Sequence, residues 1–299
     1  MSAPQSQPGV PPRDDRTRNP HPDFKQVESQ RPDWDESATF HFTKTVEPSW
    51  SFGDGANRLQ PANPPAHVTI DPYEAGRPAN FNYKLLISAV VPRPIAFVST
   101  RAADGTTTNL APFSYFNMIN HDPPLFVIGF ARGLDAPKDS LRHLLETKEC
   151  VINIISEPFI EAANSCAINA PVNASEWDVS GLTPLYDCRD VKCARVKEAV
   201  FSVEGKLDFF REHHSKSSGR STGCMVVIEG TRFWVREDAL NEDQNLIDPA
   251  VLKPISRLGG IMYGRTTQAA EIPRADWADN MHGADGFEKF KKSKEHPPA

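Results

Sequence analysis

VPRPIAFVSTRAADGTTTNLAPFSYFNMINHDPPLFVIGF, residues 91–130, is the stretch that decides the fold. Pro94–Thr100 and Leu125–Phe130 are short runs rich in β-branched and aromatic residues, and they read as strands. Between them, Asp104-Gly105 is a strong hairpin signal. If that pair sits at the centre of a two-residue loop, Ser99 falls opposite Leu110 and Thr100 opposite Asn109. A longer loop would shift the register by a residue or two. Pro112 has no N–H to give a ladder, so a regular central strand is not expected over Asn109–Phe113. Backbone donors and acceptors there would be left for a ligand.

Outward from this stretch the same texture continues. Cys150–Ile155, Ala199–Phe210 and Cys224–Val235 read as further strands. A helix is predicted from Asp139 or Ser140 through Leu141, Leu144 and Leu145, and a second over Pro158–Ile168. Several strands with few helices imply a mainly β chain, an antiparallel barrel or sandwich and not a doubly wound sheet. The first 66 residues differ: they hold eleven prolines and no sustained apolar period. Up to about Gln30 they are expected to carry no order. Trp34, Phe40, Phe42 and Trp50 are aromatics a free tail does not need, so this part of the arm is expected to lie along the barrel or a partner subunit. From Ala284 the chain is Lys-rich and expected to fray. The reading is thus a 1–66 arm, a 67–280 domain and a 281–299 charged tail.

Composition excludes some functions. At 39% hydrophobic and 24% charged residues over 299 positions, the chain can bury a sizeable core. Its net charge of −6 disfavours nucleic acid and anionic membranes, which need a basic face. No apolar run approaches the roughly 20 residues of a membrane span, and no secretory signal is visible, so a cytoplasmic location is expected. Five cysteines, at 150, 166, 188, 193 and 224, have neither disulfide-framework nor zinc-ligand spacing, and read as reduced thiols. His213-His214 reads as a solvated hairpin end, and no metal site is expected. Dinucleotide-fold, phosphate-loop, zinc-protease and serine-elbow motifs are all absent.

Two groups of residues could hold an anionic heteroaromatic ligand. Ser99, Thr100 and Asn109 gather polar groups at one end of the strand pair, with Ser114 four residues beyond Leu110. The Asn109–Phe113 backbone would suit the pyrimidine edge of an isoalloxazine ring. Lys138 stands before a predicted helix start, where free N–H groups and a point charge could bind a phosphate. The plainer alternative is that Asp139 caps the helix and Lys138 is solvated. Spacing alone does not identify the ligand.

The runs PRPIAFVST, NLAPFSYF, DPPLFVIGF, APKDSLRHL and RLGGIMYGR, in this order, resemble the flavin-reductase-like family that includes flavoredoxin. The similarity spans roughly Ile70–Ala275, and the arm looks like that of a fungal-type branch. The resemblance implies an antiparallel Greek-key split β-barrel with a few flanking helices, forming a homodimer with FMN near the subunit interface. It implies that Ser99 and Thr100 bind the ribityl-phosphate region, that Asn109, Leu110 and Ala111 line the ring, and that Ser114 contacts the ribityl or phosphate. Lys138 and Ser140 would hold the phosphate, Ser140 replacing the Thr common in that motif, while Arg257 and Tyr263 would close or support the pocket. The implied activity is hydride transfer from NADH or NADPH to flavin N5, then onward to free flavin or another acceptor, with a partner monooxygenase as one outlet. Backbone N–H groups of Asn109–Ala111 would stabilise the reduced ring, and no side-chain acid or base is called for. The alternatives are an FMN oxidoreductase acting directly on an organic or metal-chelate substrate, and a non-catalytic FMN-binding protein.

Overall fold

The computed structural model describes residues 23–171, 174–281 and 286–288. It divides into two compact units: residues up to Ser37 with Pro72–Thr266, and Ala38–Asp71 with residues from Thr267 onward. Among the described residues no helix is long and apolar enough to cross a membrane.

The first unit is built on seven strands: β1 (Ala96–Arg101), β2 (Thr108–Phe113), β3 (Phe116–His121), β4 (Pro124–Phe130), β5 (Glu149–Ile154), β6 (Phe201–His214) and β7 (Ser221–Val235). They form one sheet in the order β2-β1-β5-β6-β7-β4-β3, and every neighbouring pair is antiparallel. The sheet rolls up until its edge strand β2 meets β4, one strand in from the other edge, with the Phe113 and Phe130 rings 4.6 Å apart. A split barrel results. Its interior holds Ala96, Val98, Phe113, Phe126, Ile128, Ile152, Val203, Val226 and Ile228. Helix α3 (Asp139–Thr147) adds Leu141 and Leu144, both fully buried in the same core.

β1 explains why PIAFVST reads as a continuous apolar run. Ala96 and Val98 face the barrel interior. Phe97 faces a second core with Ile95, Leu110, Phe159, Trp177 and Ile255. A strand covered on both faces has no alternation to show. The second core is covered by α4 (Ile160–Ser165), α5 (Glu176–Ser180) and a small hairpin of β8 (Ile255–Arg257) with β9 (Tyr263–Arg265).

The hairpin register holds: Ser99 pairs with Leu110 and Thr100 with Asn109. The loop is longer than two residues. Its last contacts are Ala102 N–H to Thr107 O at 2.9 Å and Gly105 N–H to Ala102 O at 3.0 Å. The extra residues are added symmetrically about Asp104-Gly105, so the pairing does not shift. Gly105, at φ 74°, takes the left-handed turn position.

As Pro112 implies, β2 is not a central strand, but it is regular, with Pro112 opposite Phe97 in an unbroken ladder. β2 is an edge strand, where a proline facing outward forfeits no bond. Elements additional to those expected include β3 and helix α2 (Ala79–Ala89), which buries only Ile87 among its side chains described. The second predicted helix is shorter, a 3-10 turn at Glu157–Phe159 leading into α4.

In the arm, residues expected to lack order include a helix, α1 (Phe24–Ser29), capped by the Asp23 carboxylate accepting the Gln26 N–H at 3.2 Å. The same expectation for residues 1–22 lies outside the described residues, as does that for the tail from Ala284 apart from 286–288. Trp34 lies on the first unit, its ring 4.3 Å from the Arg265 guanidinium, which also bridges Glu157 at 3.0 Å. In the second unit His41–Thr43 pairs in parallel with Gln268–Ala270. Phe40 with Phe42, and Trp50 with Phe52, form edge contacts there.

Candidate functional site

The start of α3 meets the β1–β2 strand pair at one end of the barrel. Thr100 and Asn109 are cross-strand partners, so their side chains share a face. The Asn109 Nδ2 donates to Ser140 Oγ at 2.7 Å, with both residues buried. Thr100 Oγ1 lies 3.4 Å from Nδ1 of His143, whose Nε2 is 3.4 Å from Thr107 Oγ1. Burial first, and Arg142 second, push His143 below its ordinary value, which favours the neutral ring.

Neither Asp139 nor Ser140 caps the helix. Lys138 is the N-cap, in an extended conformation, and gives no side-chain cap bond. The first intrahelical bond runs from Arg142 N–H to Lys138 O at 2.9 Å. The amides of residues 139–141 therefore precede the ladder and keep their donors for another acceptor. Arg142 lies 2.7 Å from Asp139 and offsets part of the charge that would oppose an anion there. Lys138 is exposed, its Nζ 5.9 Å from the Phe113 ring centroid. Ala111 faces the barrel interior like Asn109, and Ser114 is half-buried at the β2–β3 junction.

Other expected site residues lie elsewhere. Ser99 shares a face with Leu110, turned away from Thr100 and toward the second core. Alternation along a strand separates neighbours that a motif reads as one cluster. Arg257 and Tyr263 meet each other on that side: the guanidinium is 4.3 Å from the ring, and Tyr263 Oη donates to Asn164 Oδ1 at 2.8 Å. The expected row of ligand-facing amides is also corrected. Leu110 N–H points away from β1, to Glu176 Oε2 at 3.4 Å. Alternation then turns the N–H groups of Asn109 and Ala111 into the ladder with β1. Of these three amides only Leu110 faces the open edge, and it has a carboxyl partner.

His143, Thr107 and Glu176 border this corner and are not part of the sequence reading. His143 was within reach, three residues after Ser140 on one helix face. Glu176 approaches β2 from a distant loop, which no local pattern announces.

An antiparallel split barrel with a polar corner, where a helix start meets a strand hairpin, is the class that the fold and this site define. Over residues 88–254 the chain matches the family described as flavin reductase like domain, and it belongs to that family. Membership makes it a flavin-linked oxidoreductase. Solved structures resemble it, among them these three. Nitrilotriacetate monooxygenase component B from Bacillus cereus is 32% identical, at a TM-score of 0.65, over 70% of this chain and all of that one. The 2-nitrobenzoate 2-nitroreductase NbaA of Pseudomonas fluorescens is 28% identical, at 0.60, over 70% of this chain and 96% of its own. A Shewanella frigidimarina protein with a split barrel domain, assigned as a flavin reductase, is 22% identical at 0.57, covering 67% of this chain and 95% of that one.

The corner suits a flavin mononucleotide at its phosphate end. Free helix amides, two hydroxyls, a carboxamide and an ammonium make a donor set matched to a phosphate monoester.

Proposed function

We propose that the chain is an NAD(P)H-dependent flavin reductase holding FMN with its phosphate against the start of α3. The observation that carries this is the Asn109–Ser140 contact of 2.7 Å, which joins the strand hairpin to the helix amides. Lys138 adds a positive charge at the same corner, and Thr100 a hydroxyl. Ala111 and Ser114 border the ring side of the site. FMN bound there would take a hydride equivalent from NADH or NADPH and pass the electrons to free flavin or another acceptor. The protein's own part is to bind and orient; the neutral His143 fixes the hydroxyls of Thr100 and Thr107.

A homodimer fits exposed apolar faces on the first unit. Phe81, Leu85 and Leu86 on α2, and Met118 and Ile119 on β3, are all exposed. All five cysteines are free, which suits a reducing, cytoplasmic setting. Similarity to component B of a monooxygenase favours delivery of reduced flavin to a partner monooxygenase. Similarity to a nitroreductase favours the second reading, direct reduction of an organic substrate.

The test is uptake of FMN by the purified chain, followed by anaerobic titration with NADH and NADPH. Stoichiometric uptake with bleaching of the flavin band by either nucleotide is expected. A protein that stays colourless in excess FMN would refute the reading. Turnover of added free flavin, as against tight retention with turnover of a nitroaromatic, separates the two readings.

A further inference from the structure

The loop between β4 and α3 determines where Lys138 and the amides of residues 139–141 stand. It runs from Ala131 to Lys138. Asp135, Ala136 and Lys138 are exposed, while Gly133 is buried. What fixes the loop comes from another part of the barrel. β6 runs on past β5: its pairing with β5 ends at Lys206, yet it continues on β7 as far as His214, and opposite Glu212 β7 is still paired with β4, through Cys224 and Phe130. Glu212 therefore stands two strands across from Phe130, where the loop begins. The Leu134 N–H donates to Glu212 Oε1 at 2.7 Å. The Ser221 hydroxyl donates to the same oxygen, and His214 Nε2 is 3.5 Å from Oε2.

A second feature marks the same contact. A Cβ on Gly133 would lie 1.4 Å from Ser221 Oγ, 2.5 Å from Ser221 Cβ and 2.9 Å from Glu212 Oε1. Rotating the serine hydroxyl would relieve only the first of these. Loop and hairpin therefore approach at a distance that only glycine permits.

We propose that Glu212 is a positioning residue for the phosphate end of the flavin site, acting through Leu134 to set the course of the loop that delivers Lys138 and the first turn of α3. A carboxylate near an anion's site is electrostatically adverse, so its placement asks for a geometric reason, and the tether to Leu134 supplies one. Donation from Ser221 and Leu134, with His214 nearby, holds the carboxyl below its usual range, so it remains an acceptor at neutral pH.

The inference rests on the FMN reading above, and the experiment separates the two. FMN affinity of the full chain is measured by fluorescence titration for wild type, Glu212→Ala, Glu212→Gln, Gly133→Ala and the Gly133→Ala/Ser221→Gly pair, with thermal unfolding alongside. Loss of the charged acceptor in Glu212→Ala should raise the FMN Kd about tenfold. Glu212→Gln keeps an oxygen that can accept the same two bonds, and should stay within about threefold of wild type. Gly133→Ala should weaken binding about as much as Glu212→Ala, and Ser221→Gly should restore it by clearing the Cβ. Unchanged affinity in Glu212→Ala and Gly133→Ala overturns the proposal, as does equal loss in Glu212→Ala and Glu212→Gln. If Glu212→Ala folds poorly, the Gly133 pair decides: loss in Gly133→Ala with recovery in the double variant supports the proposal, and unchanged binding in both overturns it. Wild type that takes up no FMN refutes the cofactor reading itself, a distinct result.

Discussion

Ser140→Ala probes the corner most directly. The hydroxyl is on a residue 2% exposed and accepts the Asn109 amide, itself on a residue 6% exposed, at 2.7 Å. Removing the acceptor leaves a buried N–H without its partner, which costs about 1–3 kcal/mol. Some relaxation of the Asn109 side chain brings the expected loss of unfolding free energy to about 1–2 kcal/mol. Binding should suffer separately. A hydroxyl donating to a phosphate dianion is charge-assisted, and its loss is expected to cost about 1.5–3 kcal/mol. That corresponds to a roughly ten- to hundredfold rise in the FMN Kd. Ser140→Thr retains the hydroxyl and should stay near wild type in both measurements. Urea denaturation gives the first quantity and FMN fluorescence titration the second. A Ser140→Ala variant that loses stability yet binds FMN as tightly as wild type would reduce the Asn109–Ser140 contact to scaffolding and remove the phosphate from the start of α3.

Lys138→Ala should weaken FMN binding by about 1 kcal/mol, since the side chain is exposed and screened, and the loss should shrink as salt is raised in the titration. Leu144→Ala, at a fully buried position of the barrel core, should destabilise the fold by about 2–5 kcal/mol in urea denaturation. Glu176 has its carboxyl raised above the ordinary 4.5, chiefly by burial. The folded state then binds its proton more tightly than the unfolded chain does, so this residue's contribution is full below about pH 4.5 and is lost as pH rises through the folded value. Glu176→Gln should accordingly be more stable than wild type at pH 7 and converge with it toward pH 4, as followed by thermal unfolding at each pH.

Much of the fold is legible locally. The hairpin register follows from Asp104-Gly105 alone, because loop residues added evenly on both sides leave the partners unchanged. Pro112 argues against a central strand, but that it sits in a regular ladder at the sheet's edge is something local sequence does not carry. α2 is hard to see because a helix burying little besides Ile87 leaves no clear apolar stripe. At the site, Thr100, Asn109, Lys138 and Ser140 converge as their motifs imply. Ser99 does not, since a one-residue step along a strand reverses the face. Glu176 and Glu212 reach the corner from 66 and 78 residues away in sequence, through tertiary packing alone.

The double burial of β1 has a mechanical meaning. Its even-numbered side chains belong to the barrel interior and its odd-numbered ones to the outer core, so one strand is the common wall of two compartments. Neither compartment can loosen without disturbing packing in the other. The candidate corner stands at the end of that wall, so opening it by local fraying would disturb the packing of both compartments.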